Sequence, residues 1–186
     1  EAPASVEALV AALKDALGPD VSDVRATDRL VESAVVLSAS GHGPDLQMQR
    51  LLRRAGRREI GGILMGEQLE HDRFRIAEFT VDETNGTAAH FVRSPEHHRA
   101  ALDAFFRRTG ADYRRFNYLG EWHSHPSFPV LPSAEDVASM IDLVTGERDI
   151  TFAALLIVRL RCSVRIEAGC QIYARPGVVG PVTLVR

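Results

Sequence analysis

The stretch Gly120-Glu121-Trp122-His123-Ser124-His125-Pro126, followed at Ser133 by Ser-x-x-Asp, limits what this chain can fold into more than any other feature. Phe116 to Ser124 reads as a strand. A strand points residues i and i+2 to the same side, so His123 and His125 can converge. The chain then loops through Pro126, Pro129 and Pro132. Ser133 is the expected N-cap of a helix with the apolar stripe Val137, Met140, Ile141 and Val144. Asp136 falls in its first turn, where side chains lean back toward the N-terminus. Two imidazoles and one carboxylate can then meet at a strand end. Three N/O ligands leave a fourth position open, the pattern of a catalytic zinc site. Blander readings exist for each part. Ser133-x-x-Asp136 alone is a capping-box pattern, a lone His-x-His is commonly a surface pair, and two histidines with a carboxylate also suit non-haem iron.

Taken together, His-Ser-His-Pro, six residues, and then Ser-x-x-Asp resembles the signature of the JAMM metalloproteases, also called the MPN-plus family. The longer form Tyr118-Leu-Gly-Glu-Trp-His-Ser-His-Pro126 looks most like its bacterial JAB-type, deubiquitinase-like branch. That family's pattern also has a distant Glu before an apolar, glycine-containing strand. Glu59-Ile60-Gly61-Gly62-Ile63-Leu64-Met65-Gly66 matches it. The resemblance implies one Zn2+ per chain on His123, His125 and Asp136. It implies Glu59 as general base and Ser133 as a hydrogen-bond donor to the developing oxyanion. Glu121 is the rival base, because it shares strand parity with His123 and His125. Trp122 has the opposite parity and is expected in the core.

The 186 residues suffice for one domain with a sizeable core. Lys and Arg number 22 against 25 Asp and Glu, a net charge of −3 that gives no basic field for nucleic acid. Arginines do cluster at 53, 54, 57 and 58 and at 107, 108, 114 and 115. They read as solvated helix ends, with a dock for an acidic partner as the sharper alternative. Cys162 and Cys170 are too few for a disulfide framework and are expected as buried free thiols of a cytoplasmic protein. No signal peptide or membrane-length apolar run argues for a membrane partner. The chain begins at Glu1 rather than Met, as a piece of something longer would.

Along the chain, Ser5 to Leu17 reads as a helix stopped by Gly18-Pro19. Residues 1–28 form an expected N-terminal helical extension or linker outside the resemblance, with the JAMM domain at 29–186. Leu30 to Ser38 reads as a strand, Gly41 to Pro44 as a turn and Asp45 to Ala55 as a helix. Gly61 and Gly62 inside a strand suggest close backbone approach. Phe74 to Val81 reads as a strand hairpinned to it, and Glu83 to His90 as a flexible loop. The resemblance implies that such a loop helps hold the tail of a ubiquitin-like substrate. Ser94-Pro95-Glu96 opens a helix with the stripe Ala101, Leu102, Phe105 and Phe106, and with His97 and His98 exposed. Ile150 to Val158 is an apolar run fit for a central strand covered on both faces. Ser163–Ala168 and Cys170–Ala174 read as two strands around Gly169, and Val182–Val185 as a last one. This order implies an α/β sandwich, and the resemblance implies a curved mixed sheet flanked by helices.

The expected activity is zinc-dependent hydrolysis of a peptide or isopeptide bond at the C-terminal tail of a ubiquitin-like protein or its conjugates. Conjugation-pathway enzymes would be further partners. Two alternatives are processing of a sulfur-carrier protein in cofactor or cysteine biosynthesis, and an inactive MPN scaffold. The scaffold is disfavoured because such modules usually lack the metal ligands, and all are present here.

Overall fold

A computed structural model describes residues 35–39, 42–70, 73–82, 95–146, 150, 152–162, 164–175 and 178–185. The expected extension at 1–28 and the loop Glu83–His90 lie outside them. Among the described residues, seven strands and three helices follow in the order β1 (Val35–Ala39), α1 (His42–Ala55), β2 (Gly61–Glu70), β3 (Arg73–Phe79), α2 (Pro95–Arg108), β4 (Phe116–Ser124), α3 (Ala134–Gly146), β5 (Phe152–Arg161), β6 (Arg165–Ala174) and β7 (Val178–Val185).

The strands form one mixed, curled sheet in the order β1-β3-β2-β4-β5-β6-β7. β1 runs parallel to both β3 and β7, so the sheet closes on itself. This is the expected curved sheet with flanking helices, curled far enough that the described strands close into a barrel. β4 and β5 pair in parallel, which requires a crossover, and α3 supplies it.

Each strand's alternation sorts its side chains between two layers. On one face Ile60, Leu64, Trp122, Ala154, Leu156 and Val158 pack with Met48, Leu52 and Ala55 of α1. Trp122 is fully buried, as its parity predicts, and its Nε1–H donates to the Thr80 carbonyl at 2.8 Å. On the other face Ala153, Leu155, Ile157 and Tyr173 meet Val137, Met140, Ile141 and Val144 of α3. Ile63 and Met65 meet Phe105 of α2 there. β5 therefore has an apolar layer on both sides, the reason for its unbroken apolar run. Burying each such aliphatic side chain contributes about 1.5–3 kcal/mol.

Four expectations need correction. α1 begins at His42 rather than after the Gly41–Pro44 turn. Pro44 fits its first turn, where a backbone N–H has no helical acceptor anyway. Residues 165–174 form one strand, not two around Gly169. A β-carbon at Gly169 would overlap the Val130 carbonyl oxygen, so this glycine admits a loop instead of breaking a strand. Gly62 likewise lets Thr80 approach, as expected. His98 is buried, its Nδ1 2.8 Å from Thr80 Oγ1, which accepts a hydrogen bond from the Ile63 N–H. Of the cysteines, Cys162 is exposed and Cys170 half-buried. Among the described residues no helix is long and apolar enough to cross a membrane.

Candidate metal centre

β4 ends at the motif. Gly61 of β2 pairs with His123, and His123 pairs with Ile157 of β5. The pairing continues one step further. Ser124 N–H donates to the Ile60 carbonyl at 2.8 Å, Ile60 N–H donates to Ser124 Oγ at 3.0 Å, and His125 N–H donates to the Val158 carbonyl at 2.9 Å. Residues opposite each other on paired strands share a face. Glu59 is therefore brought alongside His125, on the face that carries His123. Ser124, 1% exposed, is the staple that holds this alignment.

His123 and His125 are each 7% exposed and Glu59 4%. The two Nε2 atoms are 3.0 Å apart. Asp136 Oδ1 lies 3.5 Å from His123 Nε2, and Asp136 Oδ2 lies 3.9 Å from His125 Nε2. Ligand atoms about 2.0–2.1 Å from a tetrahedral zinc stand about 3.3–3.4 Å from one another, and the three separations bracket that value. His125 Nδ1 is 2.8 Å from the Pro129 carbonyl oxygen, which can only accept, so Nδ1 carries the proton. Nε2 is then the His125 nitrogen that faces His123 Nε2. Two imidazole nitrogens this close either share a proton or hold a cation between them. Burial pushes the His123 imidazole down to about 4, with Asp136 opposing that fall and His125 adding to it. His123 is thus neutral, the form that binds metal. The residues present fit a zinc ion.

Asp136 is aimed by a capping box at the start of α3. Ser133 N–H and Oγ–H each donate to Asp136 Oδ2 at 2.7 Å, and Asp136 N–H donates to Ser133 Oγ at 3.1 Å. These bonds occupy Oδ2 and leave Oδ1 turned toward His123. The capping reading of Ser-x-x-Asp and the ligand reading hold at once. The Ser133 proton, expected to serve an oxyanion, here rests on Asp136.

Glu121 shares the face, half-buried, and accepts a hydrogen bond from Tyr118 Oη at 3.4 Å. Two contacts escaped sequence reasoning. The Pro129 carbonyl carries no residue-type signal. Ser124 had one, its parity opposite to both histidines. Beside the loop a cleft of about 350 Å³ is lined by Val130, Leu131, Pro132, Leu155 and Ile157.

The family of prokaryotic homologs of the JAB domain matches residues 46–167, more than half of the chain. Among solved structures, a solution structure of a Desulfitobacterium hafniense protein aligns with 22% identity and a TM-score of 0.59, over 80% of this chain and 91% of that one. A JAB1/MPN domain protein from Archaeoglobus fulgidus aligns at 18% identity and a TM-score of 0.40, over 82% and 99% of the two chains. A 57-residue stretch is 77% identical to the chaperone protein HtpG of Methylorubrum extorquens, 31% of this chain but 9% of the chaperone. The chain thus spans less than a tenth of the length of the HtpG relatives it matches. The family match covers the strand after Glu59, both histidines and Asp136, and it establishes that the chain belongs to the prokaryotic JAB-domain family.

Proposed function

We propose that the chain is a zinc-dependent peptidase or isopeptidase of the JAMM type, cleaving at the C-terminal tail of a ubiquitin-like protein in a bacterial conjugation-type pathway. The family includes metalloprotease hydrolases alongside inactive members. The observation that carries the reading is the meeting of His123, His125 and Asp136, with their ligand atoms within 4.8 Å of one another.

His123, His125 and Asp136 would hold one zinc ion, which when bound supplies Lewis acidity that acidifies water and polarises a carbonyl. Glu59, buried beside His125, accepts the proton of the attacking water and passes it to the leaving amine. His125 is oriented for its part by Pro129, and His123 is kept neutral by burial. Ser133 assists by rotating its hydroxyl from Asp136 Oδ2 toward the carbonyl oxygen as negative charge develops there. Asp136 keeps the bond from Ser133 N–H, so the carboxylate stays in place during that exchange.

The test is incubation of the zinc-loaded chain with ubiquitin-like fusions encoded by neighbouring genes, read by mass spectrometry. Cleavage after the ubiquitin-like tail supports the reading. Binding without cleavage of any fusion or conjugate turns it toward a scaffold.

A further inference from the structure

The ladder that aligns Glu59 with His125 continues across the sheet. Arg159 follows Val158, the partner of Ser124, and so falls on the His125 row and face. Arg159 pairs directly with Glu167 on β6. Its Nε and Nη2 donate to the two Glu167 oxygens at 2.8 and 3.0 Å, a bidentate fork that fixes the guanidinium plane. Its Nη1 donates to the Phe128 carbonyl at 3.1 Å. The next carbonyl along that loop, on Pro129, is the one that receives His125 Nδ1–H.

We infer that Arg159, clamped by Glu167, is a positioning residue that holds the Phe128–Pro129 segment so that His125 presents Nε2 to the metal. This rests on the zinc reading above. With Arg159 20% and Glu167 39% exposed, solvent reaches the pair and screens much of its worth as an ion pair. Its value is geometric. The fork fixes the plane of the guanidinium, and within that plane Nη1 meets the loop at the Phe128 carbonyl. Carbonyls that orient a ligating imidazole set its tautomer and aim. Arg159 acts one link behind such a carbonyl. Lys at this position could serve the carboxylate or the carbonyl but could not hold both in one plane.

The experiment compares zinc affinity, by competition with a chromophoric chelator, and the absorption spectrum of the cobalt-substituted protein. It uses the full chain as wild type, Arg159→Met, Arg159→Lys and Glu167→Gln, with the melting temperature of each metal-free form recorded. Arg159→Met should weaken zinc binding about tenfold and alter the cobalt bands. Arg159→Lys should recover part of both. Glu167→Gln, the mildest change, should weaken zinc binding measurably and covers the case in which Arg159→Met fails to fold. A lowered melting temperature with zinc affinity and cobalt spectrum unchanged in Arg159→Met, or in Glu167→Gln if that variant alone folds, overturns the inference. A wild type that takes up no zinc overturns the zinc reading and this inference with it, whereas equal uptake by wild type and variants defeats this inference alone.

Discussion

The Val130 carbonyl oxygen occupies the space that a β-carbon on Gly169 would need. Gly169 pairs with Ile157, which pairs with His123, so the bare spot on β6 lies in the row of a proposed ligand. The loop between His125 and Ser133 comes down there. Gly169→Ala should lift this loop, because the strand is held by ladder bonds and the loop is not. Overpacking of this kind costs about 1–3 kcal/mol. Zinc affinity should fall about tenfold in chelator competition. Unchanged affinity would show that loop position and ligand geometry are independent.

A second prediction concerns pH. Glu67 is 2% exposed and receives hydrogen bonds from Arg75 and Arg115, the latter at 2.7 Å. Burial alone would raise its pKa, but the two arginines outweigh it and hold the carboxyl below its ordinary 4.5. Both guanidinium groups are exposed and themselves shield the carboxylate from water. A carboxyl depressed in the folded state stabilises fully above its unfolded pKa, and that contribution is lost as pH falls through the folded one. Glu67→Gln should therefore lower the melting temperature at neutral pH and flatten its decline below about pH 4.5. An acid limb as steep as the wild type's would contradict this.

The cysteines give a third prediction. Cys162 is exposed, whereas burial pushes the Cys170 thiol up to about 12, against a weaker opposing hydrogen bond to the Gln171 backbone. The thiolate is the reactive form. Alkylation of the native protein at pH 8 should modify Cys162 alone, seen as one adduct by mass spectrometry. Rapid modification of both would mean that β6 opens far more readily than its pairing suggests.

Glu59 and Glu121 share the face of the histidines, so their variants separate base from bystander. Glu59→Gln preserves size and most hydrogen bonding. Turnover should fall by about 10²-fold or more, with zinc and fold retained and the ubiquitin-like partner trapped. Glu121, tied to Tyr118, should tolerate Gln with most activity left. The opposite ranking would move the base to the motif strand.

The sequence made the motif strand, its helix and the central β5 legible, because each depends on periodicity and capping that act over a few residues. Trp122 fell to the core by parity alone. What stayed hidden depends on contacts distant in sequence. Gly169 looks like a strand breaker until Val130 is set against it. His98 looks like a solvated first-turn residue until Thr80, 18 residues earlier, is set against it. Arg159 and Glu167 look like ordinary strand charges until β6 pairs with β5 and the loop lies over them. The Ser133–Asp136 box could be read from spacing, but which oxygen it leaves for His123 could not.

The proposed zinc ion on His123, His125 and Asp136 can be counted directly. Elemental analysis of the purified chain, beside a variant with both histidines replaced by Ala, gives that count. One zinc per wild-type chain and none retained by the double variant are expected. Zinc retained in full by that variant, or iron as the tightly held native metal, would contradict the proposal.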